Sequence, residues 1–255
     1  MAKNIITRID IIFAEYFSYL LINRIEVIEN EALASLANLA LLNIQGNKLI
    51  EMSDSLSKFP SSLKYLQLNN NTIYTVHNDS LTGQSGLEIL VKWNKIQKLT
   101  KQVFASCSGL QKLYLENNEI SSIEVGTFES LSQLIYLNLE NNNLNHLSEG
   151  VFRGVTSLAK LYLSGNHLMD IEPASFSSLS LSLRYLSMSN NQLYVIRNNF
   201  FTNLSNLDEL YLSNVMVEEI DHFPYTLDPG SLVNLKHLKF LDLSNNVMRY
   251  ISTSS

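Results

Sequence analysis

Aliphatic residues recur along the chain at fixed offsets from an asparagine, in the form L-x-x-L-x-L-x-x-N-x-L. Leu110, Leu113, Leu115, Asn118 and Ile120 trace one copy. Leu134, Leu137, Leu139, Asn142 and Leu144 trace the next, and Leu158, Leu161, Leu163, Asn166 and Leu168 the one after. The asparagine returns at Asn23, Asn47, Asn71, Asn94, Asn118, Asn142, Asn166, Asn191 and Asn246, with Val215 standing once in its place. The spacings are 24, 24, 23, 24, 24, 24, 25, 24 and 31 residues. Within each copy the L-x-L alternation has the period of two that predicts a short strand with its leucines pointing inward. A single unit cannot bury that face, so the pattern predicts a stack of units sharing one continuous core. About ten parallel strands at about 4.8 Å would extend the sheet over roughly 40 Å.

A second marker follows the asparagine by ten residues: Phe104, Phe128, Phe152, Phe176 and Phe201, with Leu33, Leu81 and Leu232 in equivalent places. These side chains are expected to stack under the convex side, where a bulky apolar filler is needed between turns. The asparagines are expected to form a ladder, each amide donating to and accepting from backbone groups of adjacent turns. Four departures stand out. Between Leu87 and Asn94 one residue is missing, expected between the last leucine and the asparagine, so this strand must pucker or turn Ile89 and Val91 inward. Phe59-Pro60 predicts an extended convex segment. Ser180-Leu181-Ser182 carries one extra residue. Seven extra residues near Asp221–Gly230, rich in Pro and Gly, predict a loop bulging from the stack.

Composition narrows the function. The 255 residues are 45% hydrophobic and 16% charged, with 44 leucines and 29 asparagines, which excludes a disordered chain. A net charge of −6, with the basic residues scattered, argues against a nucleic-acid partner or an anionic membrane surface. No apolar run reaches the length of about 18 residues that a spanning helix needs. The single cysteine, Cys107, precludes an internal disulfide, and its place three residues after Phe104 predicts a core filler. The five histidines share no metal-ligand spacing, and no nucleophile elbow or phosphate-binding glycine loop occurs, so no catalytic residue, metal or cofactor is expected.

This pattern resembles the leucine-rich repeat family over roughly residues 20 to 251. The 24-residue unit with its fixed phenylalanine is similar to the "typical" subclass of Toll-like receptors, chaoptin-like adhesion proteins and small leucine-rich proteoglycans. The resemblance implies an α/β solenoid, a horseshoe with a parallel concave sheet of about ten strands and irregular or short helical convex segments. It also implies a protein ligand, held for recognition or cell adhesion in an extracellular or ectodomain setting. The alternative is an intracellular scaffold or adaptor, consistent with the lack of a secretory leader pattern and of paired cysteines for end caps.

The outward strand positions nominate the binding residues. Tyr65, Tyr114, Tyr136, Tyr162, Tyr185 and Tyr211 place an aromatic in nearly every unit, with Glu116 and Glu140 beside them. Tyrosine offers large contact area and a hydroxyl at low entropic cost. Three N-x-S/T sequons make Asn70, Asn78 and Asn203 glycosylation candidates. Residues 1–22 are expected to be a divergent segment and a cap for the solenoid of residues 23–255, with Ile11, Ile12, Phe13 and Phe17 covering the first unit. The last repeat is incomplete, so a piece of a longer protein, or self-association through the C-terminal end, is expected.

Overall fold

The first leucine of each L-x-L pair becomes the centre of a three-residue strand because its side chain has only one apolar place to go. Leu42, Leu66, Ile89, Leu113, Leu137, Leu161, Leu186 and Leu210 occupy that central position with at most 1% of their surface exposed. The computed structural model describes residues 17–21, 23–28, 33, 35–53, 59–78, 80–81, 86–172, 174–193, 196, 200–201, 203–215 and 230–246. Ten strands, from Phe17–Tyr19 to Phe240–Asp242, form one parallel sheet in strict chain order. Register never slips: Lys112, Tyr136, Lys160, Tyr185, Glu209 and Phe240 are successive partners across six strands. This is the solenoid that the repeat predicts. Convex segments are turns, three two-stranded parallel ladders and, among the described residues, one short 3₁₀ helix at Ser177–Leu179.

The asparagine ladder satisfies the backbone where the chain leaves the sheet. Asn118 Oδ1 accepts from the Ile96 N–H at 3.1 Å, and its Nδ2 donates to the carbonyls of Val91 and Leu115 at 3.0 Å each. Asn71, Asn94, Asn142, Asn166 and Asn191 repeat this arrangement. Val215 has no amide to offer, and the ladder resumes at Asn246, which accepts from Val215 N–H at 2.9 Å and donates to Leu212 O at 2.7 Å. The seven extra residues therefore leave the register untouched.

The phenylalanine column stacks as expected. Phe104, Phe128, Phe152 and Phe176 follow one another at centroid spacings of 6.1–6.2 Å and interplanar angles of 8–20°. Its end differs from expectation. Phe201 is fully buried, but the ring that meets Phe176 is Phe200, tilted by 55°, and Phe200 then sets its edge against Phe201. Two aromatics in sequence compete for one slot, and the column kinks.

The short unit resolves in favour of inward Ile89 and Val91, so the missing residue falls before the strand, between Leu87 and Ile89. The extra residue near Ser180 is absorbed after the 3₁₀ helix, where Leu181 is left 78% exposed. Phe59 is buried. Cys107 is a core filler: its thiol, pushed up to about 12 by burial, donates to Leu81 O at 3.9 Å. Ile11, Ile12 and Phe13, the segment 216–229 with all of the expected loop but Gly230, and the end at 247–255 lie outside the described residues. The first strand, Phe17–Tyr19, pairs in parallel with Leu41–Asn43.

Candidate concave binding face

Parallel register puts the first and third residues of every strand on the open face of the sheet. Five of the nominated tyrosines meet there. Tyr114, Tyr136, Tyr162, Tyr185 and Tyr211 alternate between third and first positions, and each ring touches the next across the strand boundary. The centroid distances are 4.8, 5.1, 4.7 and 5.1 Å, with interplanar angles of 34–41°. Phe240 extends the series at 4.9 Å. The result is an unbroken zigzag of six rings over six strands. Tyr65 stands apart, 42% exposed and in contact with no other ring among the described residues.

Strands in a sheet are about 4.8 Å apart, and the rings keep that spacing while alternating between the two outward columns. Staggering lets each ring tilt against its neighbour, which aromatic quadrupoles favour over a face-to-face sandwich. The positions between rings are filled by small or long polar side chains. Asn138 and Ser187 are buried between tyrosines, and Lys160 Nζ lies 5.8 Å from the Tyr185 ring centroid.

Acidic side chains line the same face. Lys112 pairs with Glu88 at 3.3 Å, and Lys92 pairs with Glu116 Oε1 at 3.4 Å while lying 5.9 Å from the Tyr114 centroid. Glu116 Oε2 is buried and has no hydrogen-bond partner among the described residues. Burial, reinforced by the charge of Glu116, holds the Glu140 carboxyl above the usual range, against hydrogen bonds to Asn138 and Ser164. The phenols titrate late as well. Burial leads at Tyr114, Tyr136, Tyr162 and Tyr185, the last reaching about 12, and a hydrogen bond to Glu209 leads at Tyr211. All five remain neutral hydroxyls at physiological pH. Asp208, just before the strand Glu209–Tyr211, is paired with Lys239 at 2.8 Å.

Past Glu140 the edge of the face turns from acidic to hydroxylic. Ser164 and Ser187 share a hydrogen bond of 2.5 Å, and Ser213 donates to Ser189 at 2.9 Å. The three sequon asparagines are all exposed. Asn78 Oδ1 accepts from Thr100 Oγ1 at 2.7 Å, and the Ser80 of its sequon is fully buried.

One column went unread in the sequence. Asn70, Asn117, Asn141, Asn190, Asn214 and Asn245 immediately precede the ladder position and all take φ of 53–58°. Asparagine tolerates this left-handed conformation and most residues do not. Gly165 serves the same place, where a Cβ would collide with Asn141 Oδ1. Asn141 donates to Asn117 at 3.1 Å and Asn214 to Asn190 at 2.9 Å, an outer ladder beside the inner one. The signal was the doublet at Asn70-Asn71, Asn117-Asn118, Asn141-Asn142, Asn190-Asn191 and Asn245-Asn246. Trp93 is the exception, a bulky residue at φ 58° with 57% of its surface exposed.

Known proteins share this architecture. The leucine-rich repeat pattern matches residues 61–120, 88–134, 108–168 and 156–215. Bovine osteomodulin (Bos taurus) is 32% identical over a stretch covering 39% of this chain and 28% of that protein. A leucine-rich repeat protein of Leptospira interrogans superposes with a TM-score of 0.72 at 24% identity, over 91% of this chain and 55% of that one. TLR13, in a complex with single-stranded RNA, gives 0.62 at 26% identity, over 84% of this chain and 33% of that one. Toll from Drosophila, in a complex with Spatzle, gives 0.75 at 21% identity, covering 89% and 33%. The chain thus spans between about a quarter and about half the length of these proteins. With the repeat pattern matched over more than half of the sequence and every matched unit folded into one turn of a single solenoid, the chain belongs to the leucine-rich repeat family.

Proposed function

We propose that this chain is a recognition module, not an enzyme, and that it holds a protein partner against the concave face in ligand binding or cell adhesion. The observation that carries this reading is the six-ring zigzag from Tyr114 to Phe240, half-buried by its own members and facing open space. Rigid aromatic rings packed against one another are pre-organised contacts, and such side chains dominate interface energetics. The resemblance to Toll and to osteomodulin supports an extracellular or ectodomain setting, as do exposed sequons at Asn70 and Asn203. TLR13 in its complex holds RNA. An RNA ligand suits this face poorly, because Glu88, Glu116, Glu140, Glu209 and Asp242 would oppose phosphate.

The test is a selection of binders to the immobilised protein from a displayed library of random peptides. Binders are expected to lose affinity for the Tyr114→Ser/Tyr136→Ser/Tyr162→Ser variant, whose circular dichroism should still report the folded sheet. Undiminished binding to the folded triple variant would refute the concave-face reading.

A further inference from the structure

One exposed tryptophan interrupts the outer asparagine column, and the asparagine beside it carries a sequon. Trp93 takes the left-handed φ of 58° that the column otherwise gives to asparagine or glycine. A bulky side chain is an outlier there, and outliers of this kind cluster at functional sites. Its indole is 57% exposed and has no ring, cation or hydrogen-bond partner among the described residues. The register of Gln67 with Leu90, carried three residues on, sets Trp93 level with Asn70. Asn70 N–H donates to Lys92 O and Lys92 N–H donates to Asn69 Oδ1, both at 3.1 Å, which holds the two turns side by side. Among the described residues of the column, only Asn70 begins an N-x-S/T sequence, Asn70-Asn71-Thr72. Elsewhere the column's amides bond to one another, as Asn141 does to Asn117. Asn70 lies between Gly46 and Trp93, with no amide on either side, and its exposed side chain has no hydrogen-bond partner among the described residues.

We infer that Asn70 carries an N-linked glycan and that Trp93 is the platform on which its first sugar rests. This depends on the extracellular setting proposed above and not on the concave face. In the transfer, Asn70 Nδ2 bonds to C1 of the first N-acetylglucosamine of a lipid-pyrophosphate-linked oligosaccharide. The bond from C1 to the pyrophosphate oxygen breaks, the lipid pyrophosphate leaves with its electron pair, and Nδ2 gives up one proton to solvent. Neighbouring turns of a parallel sheet are about 4.8 Å apart, within the range of about 4.5–7 Å at which stacked rings pack. One face of the sugar presents C–H groups, and the indole offers a broad, electron-rich apolar surface to meet them. Gly46, on the other side of Asn70, has no side chain to compete for the space. The tryptophan is then covered by a group of its own chain, which accounts for so large an apolar ring standing open on a strained turn. Asn78 has no such neighbour, since Thr100 Oγ1 meets it at 2.7 Å and offers no ring.

The experiment exports the full chain from cultured animal cells behind a secretory leader. Mass spectrometry of the peptide containing Asn70 is expected to find the glycan. Trp93 is the single tryptophan, so intrinsic fluorescence reports this place alone. Quenching by acrylamide should be about twofold weaker in the glycoprotein than in the Asn70→Asp variant, because a sugar on the indole covers one of its two faces. Aspartate tolerates the left-handed turn, and removal of the whole glycan by an amidase from the folded glycoprotein gives the same comparison without a variant. Trimming the glycan to its first sugar should leave the protection in place. A secreted chain with Asn70 unmodified refutes the site and leaves the extracellular setting standing. A modified Asn70 whose removal leaves the quenching unchanged refutes the platform. Retention of the chain inside the cell refutes the setting and the inference together.

Discussion

Two aromatic columns run through the later units of this solenoid, one inside it from Phe104 and one on its surface from Tyr114. The inner phenylalanines stack almost parallel at 6.1–6.2 Å and expose at most 3% of their surface. The outer tyrosines tilt by 34–41° at 4.7–5.1 Å and are only partly buried. The phenylalanines occupy one fixed place in each unit because the core allows only one. The tyrosines alternate between two places, both open on the sheet, and each ring tilts against the next. Repetition imposed from within is strict, whereas repetition on the open face follows only neighbour against neighbour.

Phe128→Ala should produce the largest effect, a loss of about 3–5 kcal/mol from the void left in a closed column. Chemical denaturation measures it, and a loss below that of any ridge tyrosine would overturn the contrast. Asn142→Ala comes next. It strips partners from the Leu115 and Leu139 carbonyls and from the Ile120 N–H, and should cost about 2–4 kcal/mol. Because this ladder lies between the two columns, hydrogen exchange in that variant should quicken at the strand ends on either side of unit 142.

How much of this could be read in advance divides along the same line. The inward leucines, the phenylalanine column and the Asn118-type ladder recur at one period, so spacing alone revealed them. Tyr114 and Tyr136 share no position in the unit, and their contact depends on register and curvature, which no spacing displays. The acidic charge was legible as composition, but not that Asp208 is paired with Lys239 while Glu116 retains an oxygen without a donor. The kink at Phe200 was hidden for a further reason: the pattern marks Phe201, ten residues after Asn191, and only packing brings the adjacent Phe200 against Phe176.

Smaller effects belong to the ridge. Tyr136→Ser removes two tilted ring contacts, with Tyr114 and Tyr162, and should cost about 1–2 kcal/mol in a thermal melt, well short of the phenylalanine change. A double-mutant cycle with Tyr162 should show coupling between the rings, and independence would break the picture of a connected ridge. Smallest is Glu140→Gln, which should be stabilising. The folded state holds this carboxyl above its ordinary range, chiefly by burial, so the ionised form destabilises the fold. That penalty is present above the raised pKa and fades as pH falls through it. The variant should melt slightly higher than wild type at pH 7, and the two should converge near pH 4.

The unequal spacing of the two columns makes each unit a wedge. Strands on the inner side are about 4.8 Å apart, while the phenylalanine rings behind them are 6.1–6.2 Å apart, so the stack must bend toward its sheet. In mechanical terms it is an arch whose inner course is the tyrosine ridge and whose outer course is the phenylalanine stack. Flattening the arch would prise the tyrosines from one another and crush the phenylalanines together, and both deformations cost energy at every joint. Such a structure resists spreading, and a body seated inside it must match its radius.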